Sequence, residues 1–79
     1  MKEIETRDYT TPKGIAVRCK MYSVGKKLCI TCYKTTQIYD IPEELIASIR
    51  QENITPAAKE FKEKIWTRFI TEHPYVFEL

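Results

Sequence analysis

Residues 14–35 carry the feature that most limits the fold, because apolar and polar side chains alternate on both sides of a glycine-containing turn. Successive side chains of a β-strand point to opposite faces, so this pattern predicts a β-hairpin with one apolar and one polar face. The predicted apolar face contains Ile15, Val17, Cys19, Met21, Leu28, Ile30 and Cys32. The predicted polar face, which we name the outer face, contains Arg18, Lys20, Tyr22, Lys27, Cys29, Thr31, Tyr33 and Thr35, with small Ala16.

The turn of this hairpin is predicted to be a four-residue loop, residues 23–26, with Gly25 in the left-handed conformation. A two-residue type I′ turn centred on Val24 and Gly25 is the alternative. It is less favourable, since it requires positive φ at a β-branched residue.

Both turns give the same strand register. Tyr22 lies opposite Lys27, and Cys19 lies opposite Ile30. In this register Cys19 and Cys32 are diagonal neighbours at about 7–8 Å. That separation is too large for a disulfide, so none is predicted.

The segments that flank the hairpin give weaker signals. Residues 3–9 are a candidate first strand, although Ile4 is their only aliphatic side chain. Residues 11–14, Thr-Pro-Lys-Gly, favour a turn, since proline suits its second position and glycine its fourth. Ile38 is in phase with the apolar face, so the second strand of the hairpin is expected to continue to this residue.

Two helices are predicted after the strands. Residues 42–44, Pro-Glu-Glu, favour a helix start, and this first helix is expected to end near Gln51. Residues 55–56, Thr-Pro, suit the N-cap and first turn of a second helix of about 17 residues, or about 25 Å, that ends before Pro74. Its predicted apolar side contains Ala58, Phe61, Ile65, Trp66, Phe69 and Ile70. Its predicted polar side contains Lys59, Glu60, Lys62, Glu63, Lys64 and Arg68.

These elements predict an α+β fold. A small antiparallel sheet of two or three strands is built on the central hairpin, and two C-terminal helices, the second longer, pack on one of its faces. Residues 75–79 also alternate and are a candidate for a short C-terminal strand. Residues 1–79 are expected to form one domain, because a chain of this length supports a single small core.

Composition and charge narrow the location and the function. No apolar run approaches the ~18 residues of a membrane-spanning helix, and the N-terminus lacks the apolar segment of a secretory signal. A cytoplasmic protein is therefore expected. Residues 1–41 carry a net charge of +4 and residues 42–79 a net charge of −2. Between Lys13 and Thr35 there are six basic residues and no acidic ones, so the sheet is predicted to be the basic half of the molecule.

The three cysteines are interpreted as reduced, structural residues, since a secreted disulfide framework usually has an even number. A zinc site formed by Cys19, Cys29, Cys32 and His73 is disfavoured, because residues three apart in a strand point to opposite faces. Cys29 is expected on the outer face near lysines, which favour the thiolate and leave a redox role open.

The sequence shows no arrangement typical of catalysis. It contains only two glycines, so a glycine-rich phosphate loop is missing, and no Ser/His/Asp or paired-carboxylate motif is visible. We expect a protein that is not an enzyme and that uses no cofactor, metal or small-molecule substrate.

The outer face is the main candidate for function. Cations interleaved with tyrosines suit nucleic acid, because cations neutralise phosphates and rings stack on bases. Strands can also enter a DNA groove, which favours DNA over RNA. The candidate nucleic-acid-binding residues are Lys13, Arg18, Lys20, Tyr22, Lys26, Lys27, Thr31, Tyr33 and Lys34. A simpler explanation is that polar and β-favouring residues suit exposed strand positions without any ligand.

A protein-binding module is the alternative function. Aromatic and large apolar residues are enriched in interface cores, and the helix and C-terminal tail contain more of them than a small core needs. A small inhibitor, an adaptor or a homodimer would use these residues. The candidate partner-binding residues are Trp66, Tyr75, Phe77 and Leu79.

Overall fold

The computed structural model describes residues 1–51 and 55–78. Its sheet contains four antiparallel strands in the order β1-β2-β3-β4, so each strand pairs with its neighbours in sequence. The elements are β1 (Lys2–Thr10), β2 (Ala16–Val24), β3 (Lys27–Cys32), β4 (Thr35–Asp40), α1 (Glu43–Arg50), α2 (Pro56–Glu72) and a 3₁₀ helix (Pro74–Phe77). The α+β class is confirmed, with four strands rather than two or three.

The hairpin of β2 and β3 forms, but its predicted register is wrong by two residues. Cys19 pairs with Cys32, and the strands are joined by a two-residue turn of Gly25 and Lys26. Gly25 has a φ of 59°, and Lys26 does not have positive φ. A type II′ turn needs positive φ only at its first central residue, and glycine supplies it. Because a shift of two residues keeps each side chain on its face, the predicted faces of the hairpin survive.

A second turn, Tyr33 and Lys34, ends β3 where one continuous strand was expected. Tyr33 has a φ of 55°, a left-handed conformation that is rare for a bulky residue. The chain reverses here and places Ile38 opposite Cys29 on the outer face, where it is 56% exposed. The prediction of Ile38 as an inward residue of a longer strand is therefore wrong.

Three side chains at the ends of the hairpin also leave their predicted faces. Ile15 is exposed, because β2 begins at Ala16 and Ile15 lies in the preceding turn. Thr35 pairs with buried Cys32 and so lies on the inner face. Tyr33 belongs to a turn and not to a strand.

β1 confirms the candidate strand at residues 3–9. It is nine residues long, pairs with β2 and contains a bulge between Glu3 and Glu5. The predicted turn at residues 11–14 is also confirmed, since the amide of Gly14 donates a hydrogen bond to the carbonyl of Thr11 at 2.9 Å.

Both helices begin and end close to the predicted positions. At the start of α2 the Thr55 hydroxyl accepts a hydrogen bond from the amide of Ala58 at 3.2 Å, and Pro56 occupies the first turn. This arrangement is a standard N-cap, in which a side-chain oxygen satisfies an amide that the helix itself leaves unpaired.

α2 crosses the sheet from one edge strand to the other. Glu63, in the first half of the helix, contacts Arg7 of β1, and Glu72, at its end, accepts a hydrogen bond from the Tyr39 hydroxyl of β4 at 3.0 Å. Lys62 was assigned to the polar side of this helix, and that prediction is wrong. It is 8% exposed, because it points toward the sheet and its amine lies 3.6 Å from Glu5.

The core lies between the inner face of the sheet and the helices. Its most completely buried large side chains are Trp66, Phe69, Met21, Leu28, Ile30, Val17, Cys19 and Cys32. The inner-face assignment of the last six of these is confirmed.

The C-terminal residues form a 3₁₀ helix, so the predicted strand at residues 75–79 is wrong. Val76 is buried, and the Phe77 ring packs edge-to-face on Tyr9 with 5.1 Å between centroids. The tail therefore closes one end of the sheet by side-chain packing. Leu79 lies outside the described residues.

Candidate nucleic-acid interface

The nine candidate nucleic-acid-binding residues separate into three groups. Five of them lie on the outer face of the two central strands, as predicted: Arg18, Lys20, Tyr22, Lys27 and Thr31. Lys13, Tyr33 and Lys34 lie in the β1–β2 and β3–β4 turns, which are at the same end of the sheet. We name this region the turn end. Lys26 lies at the opposite end, where it lines a groove of about 590 Å³ with α1.

Cations of the outer face have acidic neighbours on the two edge strands. Arg18 donates to Asp8 of β1 at 2.9 Å, and the Lys27 amine lies 2.9 Å from Asp40 of β4. A hydrogen bond from Arg18 lowers the pKa of Asp8. These carboxylates cancel charge locally, so the basic character of the hairpin sequence does not persist across the folded sheet.

The remaining cations near this surface have longer contacts. Lys20 lies 3.9 Å from Glu3, and Lys26 lies 3.9 Å from Glu43. The acidic partners were missed in the sequence because β1 had only a weak strand signal and β4 was read as part of β3. Alternation in residues 3–8 could not have identified these partners, because the bulge between Glu3 and Glu5 puts the two glutamates on opposite faces.

An apolar row crosses the outer face between these ion pairs. Tyr22 of β2 lies opposite Cys29 of β3, which lies opposite Ile38 of β4. Cys29 is on the outer face as predicted, but it is only 9% exposed, and burial raises the pKa of its thiol. The expectation that neighbouring lysines favour its thiolate is therefore wrong, because desolvation acts in the opposite direction.

The turn end holds a cleft of about 240 Å³. It is lined by Tyr33, Lys34, Thr35, Tyr75 and Val76. Tyr33 and Tyr75 are each 57% exposed, so two aromatic rings border an apolar cleft that opens to solvent. In the described part of the chain, Lys13 and Lys34 have no acidic partner.

Tyr75 is held by the residue that joins α2 to the 3₁₀ helix. Its hydroxyl lies 3.0 Å from Nδ1 of His73, and the two rings meet edge-to-face at 5.7 Å. His73 also packs against Phe69 of the core, with 4.7 Å between ring centroids. One wall of the cleft is therefore fixed to the core through His73.

The alternative partner-binding residues do not form one surface. Trp66 is 1% exposed, so its ring is not available to a partner, and Phe77 is partly buried against the core cluster. The core needs these rings because the sheet has four strands to cover. Tyr75 is exposed, and it belongs to the turn-end cleft.

A charged cluster lies beneath α2 on the inner face. Glu5 accepts hydrogen bonds from Trp66 at 3.1 Å and from Arg7 at 2.9 Å, and Arg7 also contacts Glu63. Burial acts to raise the pKa of Glu5, but these hydrogen bonds and the charges of Arg7 and Lys62 outweigh it, so the pKa lies below its ordinary value. The cluster is enclosed by structural contacts and ties β1 to α2.

Cys19 and Cys32 form a disulfide, with 4.4 Å between their Cα atoms. The predictions of reduced thiols and of no disulfide are wrong, because the two-residue turn makes these residues direct neighbours rather than diagonal ones. The expected cytoplasmic location stays a prediction, and disulfides are more typical of oxidising compartments.

The described residues contain no cluster of three or more side chains that could hold a metal ion. None of the helices in residues 1–51 and 55–78 has the length and apolar character needed to cross a membrane. Comparisons with protein-family models, curated proteins and solved structures give no match to this chain.

Proposed function

We propose that the protein is a non-enzymatic nucleic-acid-binding module that contacts a single strand at its turn end. The cleft between Tyr33 and Tyr75, with Lys34 in its lining, carries this proposal. An aromatic ring presents a face on which any base can stack, worth about 1–3 kcal/mol per base, and a neighbouring lysine neutralises a backbone phosphate.

The backbone of Tyr33 gives independent support for a functional turn. Holding a bulky residue at a φ of 55° costs about 1–3 kcal/mol, and such conformations concentrate at binding sites. Glycine would suit this first position of a two-residue turn better. The tyrosine side chain projects from the tip of the turn and is mostly exposed, so the core does not require it.

The turn end and the outer face differ in whether their cations are already paired with carboxylates, so the two sites predict different salt dependences of binding. Binding of duplex DNA by about four outer-face cations would give a slope of log K against log salt near −3.6, that is about −0.9 per phosphate. Binding of a single strand by Lys13 and Lys34 would give a slope near −1.4, that is about −0.7 per phosphate. Outer-face cations must break an ion pair with a carboxylate before they contact a phosphate. Each of them therefore contributes less to the binding free energy.

Fluorescence anisotropy with labelled single-stranded and duplex oligonucleotides tests this proposal at several salt concentrations. Tyr33→Gly should weaken single-strand binding by about 5- to 150-fold, the equivalent of about 1–3 kcal/mol. The same change should raise the melting temperature, since glycine relieves the left-handed strain. Lys34→Ala should flatten the salt slope by about 0.7.

Tyr22→Ala is the matched control, because it removes a tyrosine from the outer face and leaves the turn end intact. Equal losses for Tyr22→Ala and Tyr33→Gly would move the site to the outer face. Absence of binding to either oligonucleotide at low salt would reject nucleic-acid binding altogether.

A protein-binding function is the second candidate, and the apolar row favours it. Tyr22, Cys29 and Ile38 lie side by side on a face that the helices leave uncovered. The ion pairs of Arg18 with Asp8 and of Lys27 with Asp40 lie on the two sides of this row. An apolar centre with a polar rim is the usual composition of a protein interface. Ile38→Lys would place a charge at the end of the row that lies on edge strand β4, so it should abolish protein association without reducing nucleic-acid affinity.

A further inference from the structure

The two edges of the sheet differ in how they are protected from pairing with another strand. β1 carries five charged side chains and a bulge between Glu3 and Glu5, and both features discourage edge pairing. β4, TTQIYD, has no lysine, no proline and no register shift in its pairing with β3. Its Ile38 is 56% exposed and no strand of residues 1–51 and 55–78 pairs with its outer side, so this edge is regular, partly apolar and open.

The strand register shows which backbone groups of β4 point outward. Cα atoms of Cys19 and Cys32 are 4.4 Å apart, a spacing typical of a pair that exchanges no backbone hydrogen bonds. Cys32 therefore bonds to Thr35 on its other side. Alternation along the ladder then directs the amides and carbonyls of Thr36, Ile38 and Asp40 away from β3.

One hydrogen bond supports this assignment independently. The side-chain amide of Gln37 donates to the carbonyl of Ile38 at 3.4 Å, which requires that carbonyl to point out of the sheet edge. The contact is long and exposed, so a better donor from another strand would displace it readily.

We infer that two copies of the chain associate through antiparallel pairing of their β4 strands, with Ile38 on the two-fold axis. This inference rests on the protein-binding candidate and names its partner. Ile38 then pairs with its own copy, and Thr36 pairs with Asp40 of the other chain. The two-fold axis repeats the pairing of Thr36 with Asp40, so there are three pairs in all. Each pair exchanges two backbone hydrogen bonds, so about six form in total.

This register fits the side chains as well as the backbone. Directly opposed residues of antiparallel strands share a face, so pairing Ile38 with Ile38 keeps inner faces together and outer faces together. It also joins the two apolar rows into one, from Tyr22 of one chain to Tyr22 of the other. No like charges oppose each other, since Asp40 faces Thr36 and remains beside Lys27.

A register centred on Gln37 is less favourable. It pairs Thr36 with Ile38 of the other chain and leaves Asp40 opposite Lys34, which lies in a turn rather than in the strand. Only about four backbone hydrogen bonds then form within the strands. A second copy is the favoured partner because a two-fold axis through Ile38 pairs the outward amides and carbonyls of β4 with those of the other β4. The same axis keeps the inner faces of the two sheets on one side and the outer faces on the other.

Analytical ultracentrifugation of the wild-type chain tests the association. The mass should rise from 9.4 kDa toward twice that value as concentration increases to about 1 mM, since only three residue pairs of two edge strands meet and weak, transient interfaces bury less than about 1,200 Å². Ile38→Lys places a charge on the axis beside its copy, so it should remain monomeric. Thr36→Pro removes only an outward amide and should also weaken the dimer.

Val24→Lys is the matched control, because it adds the same charge to an exposed outer-face position on β2, away from the edge. It should dimerise as the wild type does. Amide exchange measured by NMR gives the second readout: protection of Thr36, Ile38 and Asp40 should rise with concentration, and protection along β1 should not.

A wild-type chain that stays monomeric at all concentrations would overturn the inference. A dimer that Val24→Lys disrupts and Ile38→Lys does not would overturn the edge register and assign the contact to the outer face. Protection along β1 instead of β4 would overturn it too. None of these results changes the oligonucleotide titration, so failure here is distinct from failure of nucleic-acid binding.

Discussion

Ion pairs on the two faces of the sheet use the same types of side chain in different surroundings. On the inner face, Glu5 meets Lys62 beneath α2, where the lysine is almost completely buried. On the outer face, Asp8 and Arg18 meet at 2.9 Å, and both side chains are mostly exposed to water. An exposed pair stabilises a fold little because water screens it, whereas a buried charge that loses its partner is strongly destabilising. Burial, and not distance, therefore ranks these contacts.

Removal of the ring that covers the inner-face cluster should give the largest effect. Trp66→Ala leaves a cavity and removes the hydrogen bond to Glu5, so the free energy of unfolding should fall by about 3–5 kcal/mol. That is a large part of the roughly 4–12 kcal/mol typical of a domain of this size. Denaturant unfolding followed by circular dichroism measures the loss.

Trp66→Phe separates packing from hydrogen bonding in this comparison. It keeps most of the ring and removes the indole N–H, so it should lose clearly less stability than Trp66→Ala. Equal losses for the two variants would mean that the Glu5 hydrogen bond, and not the covering ring, dominates the inner face.

Glu5→Gln should have an intermediate effect that depends on pH. The pKa of Glu5 is lower in the folded protein, so its charge stabilises the fold above the ordinary pKa near 4.5. This contribution is lost as the pH falls through the lowered folded-state value. The variant should be less stable than the wild type at pH 7, and the difference should shrink on acidification below about pH 4.5.

Thermal unfolding at several pH values between 7 and 2 measures this dependence. A difference between Glu5→Gln and the wild type that stays constant across the range would show that the carboxylate charge plays no part. The inner face would then be held by packing alone.

Asp8→Asn should have the smallest effect. The carboxylate of Asp8 is fully exposed, and the variant loses only its charge toward Arg18. The melting temperature should be unchanged in 0.15 M salt, where the Debye length is about 8 Å, and slightly lower at low salt. A loss at 0.15 M as large as that of Glu5→Gln would break the contrast between the two faces.

Periodicity predicted the parts of the fold that depend on local pattern. Alternation over residues 17–32 assigned Val17, Met21 and Ile30 to the buried face, and the proline and threonine at residues 55–56 marked the start of α2. These features need only the chemistry of neighbouring residues. They hold even when the register is shifted, because a shift of two preserves the face.

Features that depend on turn geometry were not predictable in the same way. The β3–β4 turn begins with Tyr33 at positive φ, where sequence rules expect glycine or asparagine, so β4 was not recognised. The Cys19–Cys32 disulfide followed from the register of a two-residue turn, and the register was wrong by two.

The candidate site shows the same division. Directions of Arg18, Lys20 and Lys27 on the outer face were predicted correctly from alternation. Neutralisation of Arg18 by Asp8 was not, because it requires knowledge of which strand lies beside β2. Charge along a sequence becomes charge on a surface only after strand order is known.

The sequential order of the strands has a consequence for the time course of folding. Each hairpin of the sheet closes a short loop, whereas the contact between Glu5 and Trp66 joins residues 61 positions apart. Short loops close at lower entropic cost, so the hairpins are expected to form first and α2 to dock last. During synthesis at about 5–20 residues per second, the sheet emerges complete a few seconds before the end of α2. Over that interval the apolar inner face of the sheet, with Met21 and Ile30 at its centre, is exposed on the ribosome because α2 has not yet packed against it.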